Sequence, residues 1–391
     1  MIHQPVFLAA TLLGLVFLLR YLEKIPGPDR LFHYLPTAFW CYFIPVMLSS
    51  VGILPIESPV YKFLTSYVLA ACLLLLLLNI NLPAIFRLGP TALGSMIVGA
   101  IGIGGGAVIA WGLWGGLLPP QTWKGIGALS ASWIGGSANM VAVKEALNTP
   151  DSVFAPMVIV DTVVTYSWMA FLVSLAPWQE RWDQWVKADR STLEDVNQRL
   201  SQQEAGSPTV TKASPWHGIW LLAGALVIGW LCLRLGTILH PMGSALNATG
   251  WSFMVVTLLG VALSFTPASR LERYGASHWG YLCLYLLLAA IGAKARLQDI
   301  LRAPLLLAMA FTWVAIHGIL LGLYGWWRKV PLFFLVTSSQ ANIGGTASTP
   351  LVAGIFQPRL APLGLLLAIA GNVVGTYAGL LIAAACRWIR A

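Results

Sequence analysis

The sequence predicts an all-α polytopic membrane protein of about 12 transmembrane helices, and three observations predict it. First, the 391 residues are 58% hydrophobic and only 9% charged, whereas a soluble domain carries about 25% charged residues. Second, apolar runs such as 6–21, 67–82 and 363–385 are of the order of the roughly 20 residues that cross a bilayer as a helix. None shows the ten-residue alternation of a membrane β-barrel. Third, the second half of the chain repeats motifs of the first, so the fold is expected to consist of two structural repeats.

Taken in order, apolar runs between polar or Pro/Gly punctuation predict helices near 5–22, 36–53, 62–82, 91–115, 124–147 and 154–176. A second set follows near 216–236, 250–266, 277–294, 303–327, 331–353 and 361–387. No Lys or Arg precedes the first run and no small-residue cleavage site follows it, which predicts a retained first helix and not a signal peptide. Residues 1–178 form the first repeat half, 179–215 a polar extramembrane linker, and 216–391 the second half. The linker holds six of the chain's 14 acids and ends in a Gly-Ser-Pro-rich stretch, so it is expected to be solvated, with one short surface helix around 192–203.

The halves match in detail. Cys72 and the leucines after it align with Cys283-Leu-Tyr-Leu-Leu-Leu-Ala at an offset of 211 (283 minus 72). The charged connection Leu82-x-x-Ile85-x-Arg87 recurs as Leu297-x-x-Ile300-x-Arg302. Trp133-Ile-Gly-Gly-Ser-Ala-Asn139 parallels Asn342-Ile-Gly-Gly-Thr-Ala-Ser348, and Asp161-x-x-x-Thr165-Tyr166 parallels Asn372-x-x-x-Thr376-Tyr377. Generic apolar helices do not produce such paired polar motifs by chance.

Polar residues inside these spans are the candidates for function. Ser132, Gly135, Gly136, Ser137 and Asn139 crowd the middle of one membrane-long stretch, and Gln340, Asn342, Gly344, Gly345 and Thr346 the middle of its counterpart. Adjacent glycines each cost about 1 kcal/mol against alanine in a helix interior and permit unwinding. A helix broken at membrane depth frees N–H and C=O groups that must face protein or a water-filled cavity, and these form a solute or ion site. The alternative is that Gly, Ser and Thr serve only close helix packing.

Asp161 is the one carboxylate far from either end of an apolar run, on the order of 10 Å into its helix. An intramembrane acid marks a proton or cation pathway, which makes Asp161 the expected coupling residue, with Na⁺ near it the one metal to consider. Asn372 occupies the matching place in the second half and cannot titrate. Lys294 is expected to snorkel to the interface. His317 is read as a packed interhelical hydrogen bonder in preference to a proton relay, and Gly102-x-Gly104-Gly-Gly as a helix-packing surface in preference to a dinucleotide fingerprint.

The net charge of +9 sits largely in short connections, which suits membrane-flanking anchors and not nucleic acid. The five cysteines show no metal spacing and are expected to pack. No Walker A loop, HExxH or GxSxG is present, so neither ATP-driven transport nor a common hydrolase is expected.

At Trp133-Ile-Gly-Gly-Ser-Ala-Asn139, Ala341-Asn-Ile-Gly-Gly345 and the Pro45–Pro55 region the chain resembles the YjcL-like integral membrane proteins, a family classed by a domain of unknown function. Through that family it is similar to the cation/proton antiporter and anion transporter superfamily. The resemblance implies inverted repeats, each with a discontinuous crossing helix, and a core domain that moves against a scaffold domain. In the antiporters an acid on the helix after the first crossing helix binds the ion. Asp161 matches by order, while Val160 stands where those proteins carry a second polar residue. Six spans in each half would leave the repeats parallel, so inversion requires one segment that does not cross.

The expected function is a secondary active transporter of a small polar or anionic organic solute, coupled to H⁺ or Na⁺, and not an enzyme. A monovalent cation/proton antiporter and a non-transporting receptor or assembly factor are the alternatives. The expected setting is the bacterial cytoplasmic membrane, multi-pass, with a small solute and lipid as partners, no cofactor, no nucleic acid, and a homodimer as the oligomer to test.

Overall fold

A computed structural model describes residues 4–26, 32, 37–78, 85–86, 88–189, 215–238, 248–295, 303–357 and 360–389. Within them the chain is helical, with no strand. In order the helices are α1 (Pro5–Leu22), α2 (Thr37–Ser50), α3 (Pro59–Leu77), α4 (Gly89–Trp114), α5 (Thr122–Gly135), α6 (Ser137–Ala146), α7 (Asp151–Ser174) and α8 (Gln179–Val186). Then follow α9 (Pro215–Ile238), α10 (Ala248–Ser264), α11 (Ala276–Lys294), α12 (Ala303–Arg328), α13 (Leu332–Ile343), α14 (Gly345–Phe356) and α15 (Ala361–Ile389). The charged connections at 79–84 and 296–302 and the surface helix expected at 192–203 lie outside the described residues.

Helices occupy all twelve predicted segments, but only eight described helices are long and apolar enough to cross a bilayer. A ninth is possible by these criteria if Trp251–Ser264 and Pro267–Tyr274, which meet at 92°, count as one. The remaining differences from twelve have physical causes. Helix α2 is described over 14 residues, Thr37–Ser50, and the segments predicted at 124–147 and 331–353 each divide into two short helices at glycine. Large apolar side chains such as Phe17, Ile101, Leu113, Trp220 and Leu381 face outward. Ser130, Thr337, Ser338, Gln340 and Thr376 are fully buried. That inversion of the soluble pattern suits a lipid surround.

The chain divides into two units, each drawing on both halves. Unit 1 contains Met1–Asn79, Lys144–Thr162 and Val210–Pro304. Its centre is the second half of α3, Leu69–Leu77, apolar on every side, which packs against α9, α10 and α11. Cys72 Sγ donates to Gly280 O at 3.3 Å, so the two counterpart Cys-Leu helices lie side by side. Close approach relies on small residues: a Cβ on Gly229 would stand 2.9 Å from Ala70 Cβ, and one on Gly260 2.9 Å from Leu77 Cβ.

Unit 2 contains Ile80–Val143, Val163–Thr209 and Leu305–Ala391, and therefore both glycine breaks. Helix α15 packs along α5 and α14, and α13 packs on α4, α5 and α15. The α5–α15 contact is backbone to backbone. A Cβ on Gly375 would stand 2.6 Å from Gly135 Cα, and one on Gly379 2.7 Å from Gly127 O. Helix α4 meets α12 through Gly102 and Gly106, where a Cβ would approach His317 Cα at 3.2 Å and Trp313 O at 2.8 Å. The glycine-rich run of α4 is thus a packing surface.

The segment expected to begin a solvated linker at residue 179 instead starts as the docked helix α8. Asp183 is 3% exposed and accepts from Leu332 N at 2.9 Å, and Trp182 Nε1 donates to Val330 O at 3.1 Å. Counting acids predicts solvation, but one of them serves as a cap.

Candidate functional site

The first break is one residue wide. Gly136 has φ 84° and ψ 172°, a region open in practice only to glycine, and its N–H donates to Ser132 O at 2.6 Å, closing α5. Helix α6 restarts at Ser137, which is half-buried, and Asn139 N donates to Gly136 O at 3.0 Å. Asn139 is buried. Its Nδ2 donates to Gly135 O at 2.5 Å and to Asn372 O at 3.4 Å, and its Oδ1 accepts from Thr376 Oγ1 at 2.5 Å.

The second break lies at Gly344 and Gly345, the latter at φ 63°. Gly344 N donates to Gln340 O at 2.6 Å, and Ser348 Oγ donates to Gly344 O at 2.8 Å. Gln340 Nε2 donates to that same Ser348 Oγ at 2.7 Å. Thr346, half-buried, is the second residue of α14. Thr165 Oγ1 donates to Ile343 O at 3.1 Å, satisfying a carbonyl at the end of α13.

These contacts cross between the halves. Thr165 and Thr376 are the matched threonines of the repeated Asp/Asn-x-x-x-Thr-Tyr motif, and each bonds the broken helix of the other half. Ser132, Gly135, Gly136, Ser137, Asn139 and Asn372 thus converge around one break, and Gln340, Gly344, Gly345 and Thr346 around the other. Asn342 turns elsewhere: Nδ2 donates to Met96 O at 3.2 Å on α4. Asp161, the eleventh residue of α7, is half-buried and belongs to unit 1. Among the described residues no cluster of three or more His, Cys, Asp or Glu is placed to hold a metal ion.

Residues 7–389, nearly the whole chain, match a family described as "Protein of unknown function (DUF819)". The chain belongs to the DUF819 family. It is also 27% identical over 349 residues to "Uncharacterized membrane protein YjcL" of Bacillus subtilis (strain 168), covering 85% of this chain and 86% of that protein. This DUF819 chain is accordingly a membrane protein, as its apolar helices require.

Within this DUF819 protein the orientation of two buried amides is set by their surroundings. Met96 O can only accept, so Asn342 presents Nδ2 to it; Ser348 Oγ gives its hydrogen to Gly344 O, so it accepts from Gln340 Nε2. The carbonyl oxygens Asn342 Oδ1 and Gln340 Oε1 are left buried without a hydrogen-bond partner, as are Thr337 Oγ1 and the indole N–H of Trp133. A buried polar group without a partner costs about 1–3 kcal/mol; the two amide oxygens would take a hydrogen-bond donor or a cation, and the Trp133 N–H an acceptor. His317, by contrast, is fully engaged: Nδ1 donates to Gly99 O at 2.9 Å and Nε2 pairs with Ser339 Oγ at 2.9 Å. It is a packed interhelical bonder.

A second polar group was missed in the sequence. Lys144, 3% exposed, pairs with Glu145 at 2.9 Å and Asp151 Oδ1 at 3.1 Å, and Lys294 takes Asp151 Oδ2 at 3.2 Å. Lys294 therefore ends on a carboxylate and does not simply snorkel. The signal available was the Lys144-Glu145 pair seven residues before a helix-starting acid.

Proposed function

We propose that this DUF819 protein is a secondary active transporter that carries a small polar organic solute across the bacterial cytoplasmic membrane by alternating access, coupled to H⁺ or Na⁺. The observation that carries the reading is the reciprocal fastening of two glycine-broken helices by Thr165 and Thr376. Two breaks at matching places of a duplicated membrane chain supply helix ends and polar side chains inside the apolar layer, where such ends hold ions and solutes. Unit 2, which contains both breaks, provides the solute site. The repeats are inverted, which requires one segment in a half that does not cross. The unpartnered oxygens of Gln340 and Asn342 favour a solute that bears hydrogen-bond donors, and Asp161 takes up the coupling ion.

Liposomes containing the purified protein and carrying imposed pH and Na⁺ gradients test this with a mixture of small metabolites outside. Gradient-driven accumulation of a solute is expected, and its loss in Asp161→Asn. Exchange of Na⁺ or K⁺ for H⁺ without any organic solute would make the protein an antiporter, supported by the same Asp161. Absence of every flux from folded protein would leave a receptor or assembly factor.

A further inference from the structure

Helix α8 presents three distinct faces. At about 100° per residue, Trp182, Asp183 and Val186 share one side, and these are the residues turned toward unit 2's own helices. Trp185, 65% exposed, stands on a second side with Arg181, whose guanidinium lies 5.0 Å from the ring centroid of Trp178, 55% exposed at the residue before the helix. Glu180 and Gln184 occupy the third side and are exposed. The helix follows the membrane-length α7 after a short 3₁₀ turn, Ala176–Trp178.

A helix in water has no use for two outward indoles beside an arginine, and a helix in the hydrocarbon layer would not carry Glu180, Arg181 and Gln184. Indoles with an apolar body and one N–H donor belong at the headgroup level, where Arg reaches phosphate. Asp151–Val186 runs as one span-length helix, so α8 begins where α7 leaves the bilayer. We propose that α8 is an interfacial anchor at the level of the lipid headgroups, with Trp178 and Trp185 toward lipid, Glu180 and Gln184 away from it, and Asp183 holding the start of α13 at that level. Pro331 precedes α13 and has no side-chain acceptor, so Asp183 caps the helix from outside its own sequence. The consequence is a depth for the break. Twelve residues separate Leu332 from Gly344, about 18 Å at 1.5 Å each, which from the surface of a hydrocarbon layer roughly 30 Å thick reaches close to its midplane.

This anchor stands whether or not the protein transports. It is tested on the full chain in nanodiscs of phosphatidylcholine and phosphatidylglycerol. Environment-sensitive fluorophores are attached at Trp185→Cys, Trp178→Cys and Gln184→Cys; the five native cysteines are buried. Probes at 185 and 178 are expected to be quenched by lipids carrying a nitroxide near the headgroup and shielded from aqueous iodide, and the probe at 184 to show the reverse. Equal iodide quenching at 184, 185 and 178, with none from nitroxide lipid, overturns the anchor. Two reporters on the lipid side keep the test decisive if one substitution prevents folding. For the tether, amide hydrogen exchange at 332–335 is expected to rise about tenfold in Asp183→Ala, as loss of a charge-assisted cap requires. Unchanged exchange in that variant overturns the cap.

Discussion

Replacing Gly136 by alanine isolates the conformational cause of the first helix break. A Cβ there would meet Asn372 Oδ1 at 3.3 Å, a tight contact that a small shift of that side chain relieves. The cost comes from the backbone: φ 84° with ψ 172° is a region that L side chains avoid, and holding one there costs about 1–3 kcal/mol. Gly345, at φ 63° with open space around its Cα, isolates the same effect at the second break, with about 1–2 kcal/mol expected. Gly105 is the control, because it too has nothing within 4 Å but sits in an ordinary stretch of α4. Gly105→Ala is expected to stabilise by about 0.5–1 kcal/mol through lost unfolded-state freedom. The three variants thus span about 2–4 kcal/mol at nearly constant volume. Reversible unfolding in mixed micelles, followed by the reactivity of the buried free cysteines, gives the free energies. Equal stability of Gly136→Ala and Gly105→Ala would falsify a glycine-imposed break.

Three further outcomes are expected. Gly375→Ala drives a methyl group to 2.6 Å from Gly135 Cα, and is expected to destabilise by about 1–3 kcal/mol in the same unfolding assay, whereas Gly112→Ala, which meets nothing within 4 Å, leaves stability unchanged or raised. Thr376→Val removes the donor to Asn139 Oδ1, and a loss of about 1–3 kcal/mol is expected, with Asn139→Ala/Thr376→Val less damaged than the sum of the single changes. Lys144→Met leaves Glu145 and half of Asp151 without their cation, though both carboxylates reach solvent and Asp151 keeps Lys294; a loss of about 1–3 kcal/mol is expected, read in the same unfolding assay, with partial rescue in Lys144→Met/Glu145→Gln.

Much of the fold was legible because apolar length and paired motifs are local properties of the chain. Each of the twelve predicted segments holds a helix, and the two Gly-Gly sites are where α5 and α13 end. What was misjudged depended on partners distant in sequence. Asp183 reads as one of six linker acids, yet it caps Leu332, and Lys294 reads as a snorkelling end, yet it meets Asp151. The repeated Thr-Tyr motif was visible at 165 and 376, but nothing in one dimension says that each threonine bonds the opposite half. Gly371, Gly375 and Gly379 share a spacing of four that marks a close-packing face of α15.

Sequence by itself determined that the chain lives in a membrane, that polar motifs recur in its two halves, and that two glycine pairs interrupt helices, because hydropathy, motif spacing and backbone freedom are written residue by residue. Only the tertiary structure decided that the units interleave both halves, and which polar atoms keep a partner. The orientation of Asn342 and Gln340 depends on Met96 O and Ser348 Oγ. Those neighbours are chosen by helix packing, which no local property of the chain encodes.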